Sequence, residues 1–579
     1  MAPKGRVTPS FKPGVYQGRA NGNSSEIVVE TEFTNDAIRR VTIVSEGETL
    51  RVAQPALERI PAAIVETQSL AVDAISTCTV TSYAVIAAVE DCVRQAGGDV
   101  AGLSTPLPAA PKKGDTVIQA DVVIAGAGLA GLSAALAAVD SGKTVVMFEK
   151  NDVAGGSSAL SGGFITGIGT GMQREVGYIE SVDSYLKFWL DSAGASERRS
   201  QADTSAIRSL IERSASDVYF LIDHGVGLHE PNGMGGPELR WHHSDWRKGW
   251  QASSPAGGVD HIVRSLQYLS QKPNFTIYYT TPVTGLVTNS QGRVTGVTAK
   301  AEDGSTITVQ NARNVILATG GFARSEELMK RFCPSFPTEW VNAYPATAVG
   351  LTGDGIIMAE KIGAAVYEEG WWIDLAFVAA PGFYRAPFNN SIRSANFIAD
   401  GNGERLYSTS DPNGVRSIRV DRSIRETGVV WAIVDSSLRE ASALAEERVD
   451  GKNVVKADTL AELAQKTGMN PATFTAAVER YNSMVRNGRD TDMGQTRLTA
   501  VGSGPYYAVS GKISTMGSIG GLKTNEDCQV LNTNGQPIPG LFAAGEILNG
   551  KYFNQVYVSG CAQLICVDTG RTAGTNASR

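Results

Sequence analysis

The chain has 579 residues, 42% apolar and 19% charged, with a formal net charge of −7; that length exceeds what one hydrophobic core fills, and the composition is that of a globular protein. Lys and Arg form no run that would mark a footprint on nucleic acid or an anionic membrane, and no stretch offers the roughly 20 consecutive apolar residues of a transmembrane segment. The six cysteines, Cys78, Cys92, Cys333, Cys528, Cys561 and Cys566, share no CxxC spacing and no CxxCH occurs, so neither a metal site nor a c-type haem is expected and the thiols read as inert.

The opening MAPKGRVTPSFKPG lacks the apolar core of a signal peptide. A trimmed mature form would point to the bacterial cell envelope, an untrimmed one to the cytoplasm. Residues 10–100 read as a small α+β unit: GVYQGRANG, the alternating IVVETEF and IRRVTIV as half-buried strands, then a helical run from Ser82 to Gln95. Residues 101–118 read as a linker, since the Gly- and Pro-rich stretch around them has no periodicity.

The strongest signal follows in ADVVIAGAGLAGLSAALAAVDSGKTVVMFEK. A buried strand from Asp121 to Ala125 runs into Gly126, Gly128 and Gly131, an Ala-rich helix, and a second strand ending at Glu149. The first glycine makes the tight turn, the second lets backbone N–H groups approach a pyrophosphate, the third packs helix on strand, and Glu149 accepts ribose hydroxyls. Directly after it, KNDVAGGSSALSGG offers Lys150, Gly155, Gly156, Ser157, Ser158, Gly162 and Gly163 to the rest of a flavin dinucleotide. The strand-to-turn segments NVILATGGFARS, with Thr319 and Gly320, and PIPGLFAAGEI, with Gly545 and Glu546, read as later returns of the chain to the same cofactor.

This series, with TGDG carrying Asp354 and SGCAQLICVDTGR carrying Ala562, resembles the flavoprotein subunits of fumarate reductase and succinate dehydrogenase over about residues 119–579. The resemblance implies an α/β fold in which a doubly wound FAD-binding domain, 119–385 and 506–579, is interrupted by a capping, substrate-binding domain, 386–505. It implies non-covalent FAD, because Gly156 stands where membrane-bound members carry the tethering histidine. The N-terminal unit resembles the FMN-binding domain fused to soluble fumarate-reductase-like and urocanate-reductase-like enzymes. There a threonine closes a pattern matched here by Asp73, Ser76 and Thr79 in DAISTCTVTS, with Thr77 and Cys78 replacing Gly and Ala. The resemblance implies covalent FMN on Thr79; the other reading is that Thr79 and Thr81 only open the following helix.

What such an arrangement implies is a flavin-dependent reductase of an activated C=C bond, with electrons relayed through FMN from an unidentified donor protein or reduced carrier. Hydride would come from FAD N5 and the proton from Arg405 in GERLY, supported by Arg393 in SIRSAN. Asn390 replaces the relay glutamate of the family. The family's dicarboxylate clamp is replaced by Ala376, Ser514 and Tyr557, so fumarate is not the expected substrate. As in related ketosteroid dehydrogenases, Tyr557 and the N–H of Cys561 would polarise a substrate carbonyl; otherwise Tyr557 only packs. Aromatics at Trp241, Trp246, Trp250, Trp371, Trp372, Phe377, Phe383, Tyr384 and Phe388, with Trp372, Asp374 and Ser514 at the substrate, suit a flat α,β-unsaturated ketone or aryl-acrylate. Two alternatives stay open: a dehydrogenase of the ketosteroid type, and an electron-transfer flavoprotein subunit.

Overall fold

The structure, a computed structural model, describes residues 10–22, 25–48, 53–75, 78–106, 112–194, 202–228, 231, 240–242, 257–336, 347–373, 378–379, 392, 395, 397–411, 413–512 and 515–579, and of these not the side chains of 79, 80, 241, 378, 379, 413, 414, 417 and 512.

The N-terminal unit is an antiparallel sheet of β1 (Gly14–Asn21), β2 (Glu26–Phe33) and β3 (Ile38–Ser45), covered by α1 (Gln54–Thr67) and α2 (Thr79–Gln95). Alternation in IVVETEF places Ile27, Val29 and Phe33 inward, where they meet Ile60 and Ile64 of α1 and Val85 and Val89 of α2 in a core of their own. Gly18 lets β1 pass directly under α2: a Cβ there would lie 2.0 Å from the Ala88 carbonyl oxygen. The helix read from Ser82 begins three residues earlier, so Thr79 is its first residue. The end of the linker is a strand, Thr116–Ile118, paired with Thr306–Val309.

The second unit is built on β4 (Val122–Ala125), α3 (Leu129–Asp140), β5 (Val145–Phe148), α4 (Gly257–Leu269), β6 (Phe275–Tyr278), β7 (Asn314–Leu317), β8 (Gln529–Leu531), β9 (Pro537–Ala543) and α5 (Cys561–Ala577). The sheet order is β8-β9-β7-β4-β5-β6, parallel throughout except at the β8 edge. β4 and β5 are buried at every position, as strands covered on both faces must be. Neighbours of β4 depart in opposite directions along the sequence, which creates the crevice at its carboxyl end where such sheets hold ligands. Among the described residues no helix is long and apolar enough to cross a membrane.

Between β7 and β8 the chain inserts an antiparallel sheet of Phe397–Asp400, Val430–Val434, Val454–Ala457 and Tyr506–Lys512, with Val378–Ala379 on its edge. Phe397 packs edge-on to Phe474 and Tyr481, at centroid distances of 6.0 and 5.8 Å. Arg405 belongs to this packing. Its Nη1 lies 2.9 Å from Asp490 Oδ2, its Nη2 donates to Gln495 Oε1 at 2.8 Å, and its guanidinium carbon sits 4.4 Å from the centre of the Tyr481 ring. The Arg405 side chain is 7% exposed and that of Asp490 0%. Arg405→Ala would leave the buried Asp490 carboxylate to the backbone N–H groups of Asp492, Met493 and Gln495, a loss of about 1–3 kcal/mol; denaturant unfolding should show that loss, and an unchanged midpoint would remove the ion pair from the stabilising contacts.

Candidate functional site

The cavity at the carboxyl ends of the parallel strands is floored by Ala125, Phe148, Ala318 and Ala544, each at or just past the end of β4, β5, β7 or β9. Gly126 turns the chain there at φ +104°, and a Cβ on it would meet the Ala318 carbonyl oxygen at 2.3 Å. Gly128 is different: an added Cβ would meet nothing nearer than the Gly155 carbonyl oxygen at 3.8 Å. It opens onto the cavity from the N-terminus of α3, where backbone donors and the helix dipole favour an anion.

The second Gly/Ser run is laid against the first. Gly155 N–H donates to the Ala127 carbonyl at 2.9 Å, which brings Gly155, Gly156, Ser157 and Ser158 to the wall. Glu149 is buried; its Oε2 accepts from Ala127 N–H at 2.9 Å and its Oε1 from Asn151 N–H at 2.8 Å. Burial raises its pKa against the pull of those two donors. The carboxylate expected to hold a ribose therefore also braces the turn from within, with lone pairs left to face the cavity it lines. Lys150 Nζ donates to Thr352 Oγ1 at 2.6 Å and Asp354 Oδ2 at 2.7 Å, tying the end of β5 to the TGDG loop. Glu546 Oε1 accepts from Ser518 N–H and Oγ at 2.7 and 3.0 Å, and burial pushes its pKa up to about 7.

These residues fit an FAD. Thr319 and Gly320 line the wall, and Thr319 Oγ1 is buried there without a partner among the described residues, a hydroxyl that a bound ligand would satisfy. Gly131, Gly162, Gly163 and Gly545 are not among the residues lining this wall and pack closely: a Cβ on Gly131 would stand 2.0 Å from the Gly126 carbonyl oxygen, and one on Gly163 2.2 Å from the backbone of α4. Ala562 is half-buried at the first turn of α5, outside this wall. Asn151, Pro282, Val283, Gly350, Leu351 and Cys566 line the cavity without having been expected. Gly350 and Leu351 adjoin TGDG, Asn151 lies in KNDVAGGSSALSGG and Cys566 in SGCAQLICVDTGR, whereas Pro282 and Val283 carried no signal. Cys566 is inert, its thiol pushed up to about 12 by burial and then by Glu546. Among the described residues no cluster could hold a metal ion.

On the substrate side the structure shows the surroundings of Cys561, Trp372, Arg405 and Tyr557. The N–H of Cys561 donates to the Val558 carbonyl at 3.2 Å, and its buried thiol meets Tyr185 Oη at 3.1 Å. Trp372 is 2% exposed, stacked on Trp371 at 3.8 Å and edge-on to Phe336 at 5.0 Å. Arg405 is enclosed by Asp490, Gln495 and Tyr481, away from the FAD cavity wall. Tyr557 is half-buried, edge-on to Phe553 at 5.4 Å. Arg393, Asp374 and Ser514, and the side chain of Thr79, lie outside the described residues, as do Ala376 and Asn390.

The two kinds of glycine separate in a binding experiment. Gly128→Val should leave the thermal stability of the FAD-free protein close to wild type yet weaken FAD at least about tenfold, because its side chain fills the pyrophosphate approach. Gly131→Ala should unfold the protein at lower temperature through its backbone clash. Calorimetry and flavin-fluorescence titration check both.

The FAD binding domain family model matches residues 121–561 and the FMN-binding domain model residues 22–94. The urocanate reductase of Eggerthella lenta is 28% identical over 97% of this chain and 92% of its own length. The NADH:acrylate oxidoreductase of Vibrio harveyi is 26% identical over 99% of this chain, which spans 62% of that protein's length. The open conformation of a flavocytochrome c3 fumarate reductase matches with a TM-score of 0.61 at 26% identity, covering 80% of this chain and 79% of that one. With most of its length matched by one family and its N-terminal unit by another, the chain belongs to the FAD binding domain family and carries an FMN-binding domain ahead of it.

Proposed function

We propose that the protein is a two-flavin reductase of an activated C=C bond, acting on aryl-acrylates or α,β-unsaturated ketones in preference to fumarate. The FAD cavity carries this reading: a glycine turn open to a pyrophosphate, an unsatisfied Thr319 hydroxyl and a buried Glu546 meet at one crevice. The relatives add the direction of chemistry, since one is named for acrylate and one for urocanate, itself an acrylate bearing an imidazole ring. FAD, when bound, supplies hydride to one carbon of such an alkene.

The residues of this chain supply the rest. At the three clamp positions stand Ala376, Ser514 and Tyr557, so a second substrate carboxylate would be buried without a charge partner. Tyr557 Oη donates to a carbonyl or single carboxyl oxygen and stabilises the charge that develops there. Arg405, held in place by Asp490 and Gln495, delivers the proton to the neighbouring carbon, supported by Arg393. FMN is carried on Thr79, the first residue of a 17-residue helix with no acidic residue in its first turn and no side-chain cap; its free N–H groups favour a phosphate at that position. The Thr81 hydroxyl, by contrast, donates to the buried Glu48 carboxylate at 2.5 Å. Electrons reach FMN from a separate donor protein or reduced carrier.

Anaerobic reoxidation of the reduced protein by a panel of alkenes tests the substrate class. Aryl-acrylates or unsaturated ketones should reoxidise it and fumarate should not; efficient fumarate turnover would overturn the assignment. In the same assay Tyr557→Phe should slow the reaction roughly a hundredfold, the effect of losing one oxyanion donor, and an unchanged rate would reduce Tyr557 to packing. For the FMN site, acid precipitation of protein from a host with a flavin-attaching enzyme should release FAD and retain FMN. Thr79→Ala should lose that retained FMN; persistence of it would place the attachment elsewhere.

A further inference from the structure

The FMN-binding and FAD-binding units have separate hydrophobic cores with no residue in common. Arg59, on α1 of the first, reaches across to Asp152 of the second, Nη1 to Oδ2 at 3.0 Å. The two ends of this contact differ. Arg59 is 54% exposed, whereas the Asp152 side chain is 8% exposed and its Oδ1 is buried without a partner among the described residues. An ion pair between two exposed groups contributes little, but here a buried carboxylate relies on the other unit for a counter-charge.

Asp152 also occupies a telling position in the chain. It sits in the loop that supplies Lys150, Asn151, Gly155 and Gly156 to the FAD cavity, and its neighbour Val153 faces α1. Next to the pair the two units do not close on each other. A cleft of about 610 Å³ separates Pro55 and Glu58 of α1 from Val259, Asp260, Val263 and Arg264 of α4. Arg264 is turned to its own helix, 3.4 Å from Asp260, and Val263 is 46% exposed. Apolar packing is therefore not what fixes the units at this edge.

We propose that the Arg59–Asp152 ion pair is the latch that docks the FMN-binding unit onto the rim of the FAD cavity, so that Arg59 is a positioning residue for the pair of flavin sites. The inference requires only that the units bind their flavins, and it is independent of which alkene is reduced.

The test uses the full chain loaded with both flavins, in wild-type form and as Arg59→Glu and Arg59→Lys. Arg59 is exposed and outside both cores, so neither substitution threatens folding. Small-angle scattering and amide hydrogen exchange are measured at low and high salt. In Arg59→Glu the radius of gyration should rise and exchange at residues 54–60 and 150–156 should accelerate at least about tenfold, while Arg59→Lys should stay near wild type. Salt should loosen the wild type, through screening of the exposed partner, and leave Arg59→Glu unchanged. Wild-type scattering and exchange in Arg59→Glu, or an identical salt response in the two proteins, would overturn the proposal.

Discussion

The whole FAD unit depends on backbone being allowed to touch backbone around α3. A Cβ on Gly126 would collide with the Ala318 carbonyl, one on Gly131 with the Gly126 carbonyl, and ones on Gly570 and Gly574 of α5 with the Ala130 and Ala134 carbonyls, all at 2.0 to 2.3 Å. Four missing side chains thus let α3 sit against its own turn on one side and against α5 on the other. With that helix seated, its N-terminus points at the crevice beyond β4, and Gly128 is left facing open space. Interiors are close-packed, so the approach cannot be relaxed at one glycine without displacing the helix that presents donors to the cofactor.

Around this apolar frame the charged groups are few and committed. Glu149 and Glu546 are buried, and each is met by backbone or hydroxyl donors rather than by a cation. Lys150 instead binds Thr352 and Asp354 and so fastens a loop two hundred residues away. The result is a polar rim whose remaining lone pairs face inward, the arrangement expected where hydroxyl-rich and phosphate groups are to be bound in a largely apolar cleft.

How much of this was legible in the sequence follows from the range of the interactions. The turn glycines, Glu149 and the second Gly/Ser run lie within about forty positions of one another, and their spacing alone announces strand, turn and helix, although Gly126 and Gly163 also pack on Ala318 and Gly257 far along the chain. Arg405 shows the opposite case. Its partners Asp490 and Gln495 come from a loop some ninety residues on, and no local pattern reveals that a guanidinium will be held there. Trp372 is a related case: an aromatic cluster reads alike whether it faces a ligand or a strand partner, and its pairing with Ser518, beside that of Trp371 with Ile519, is not visible in local sequence. The Cys561 N–H was lost to a tight turn with Val558, a backbone detail that side-chain identity does not encode. Pro282 and Val283 reach the cavity only through the topology of the sheet.

The placement of α5 has a consequence for the order in which the protein comes into being. The crevice beyond β4 is walled by residues from both ends of the FAD unit: its first strand and helix, and the segment from β9 through α5 that packs over them. During synthesis the glycine turn emerges early, but the face of α3 that α5 covers stays open until residues 537–577 have left the ribosome. The N-terminal unit, closed around its own core by residue 103, is under no such delay, since units with their own cores fold as they are made. One flavin site can therefore be shaped early on the nascent chain while the other must wait for α5.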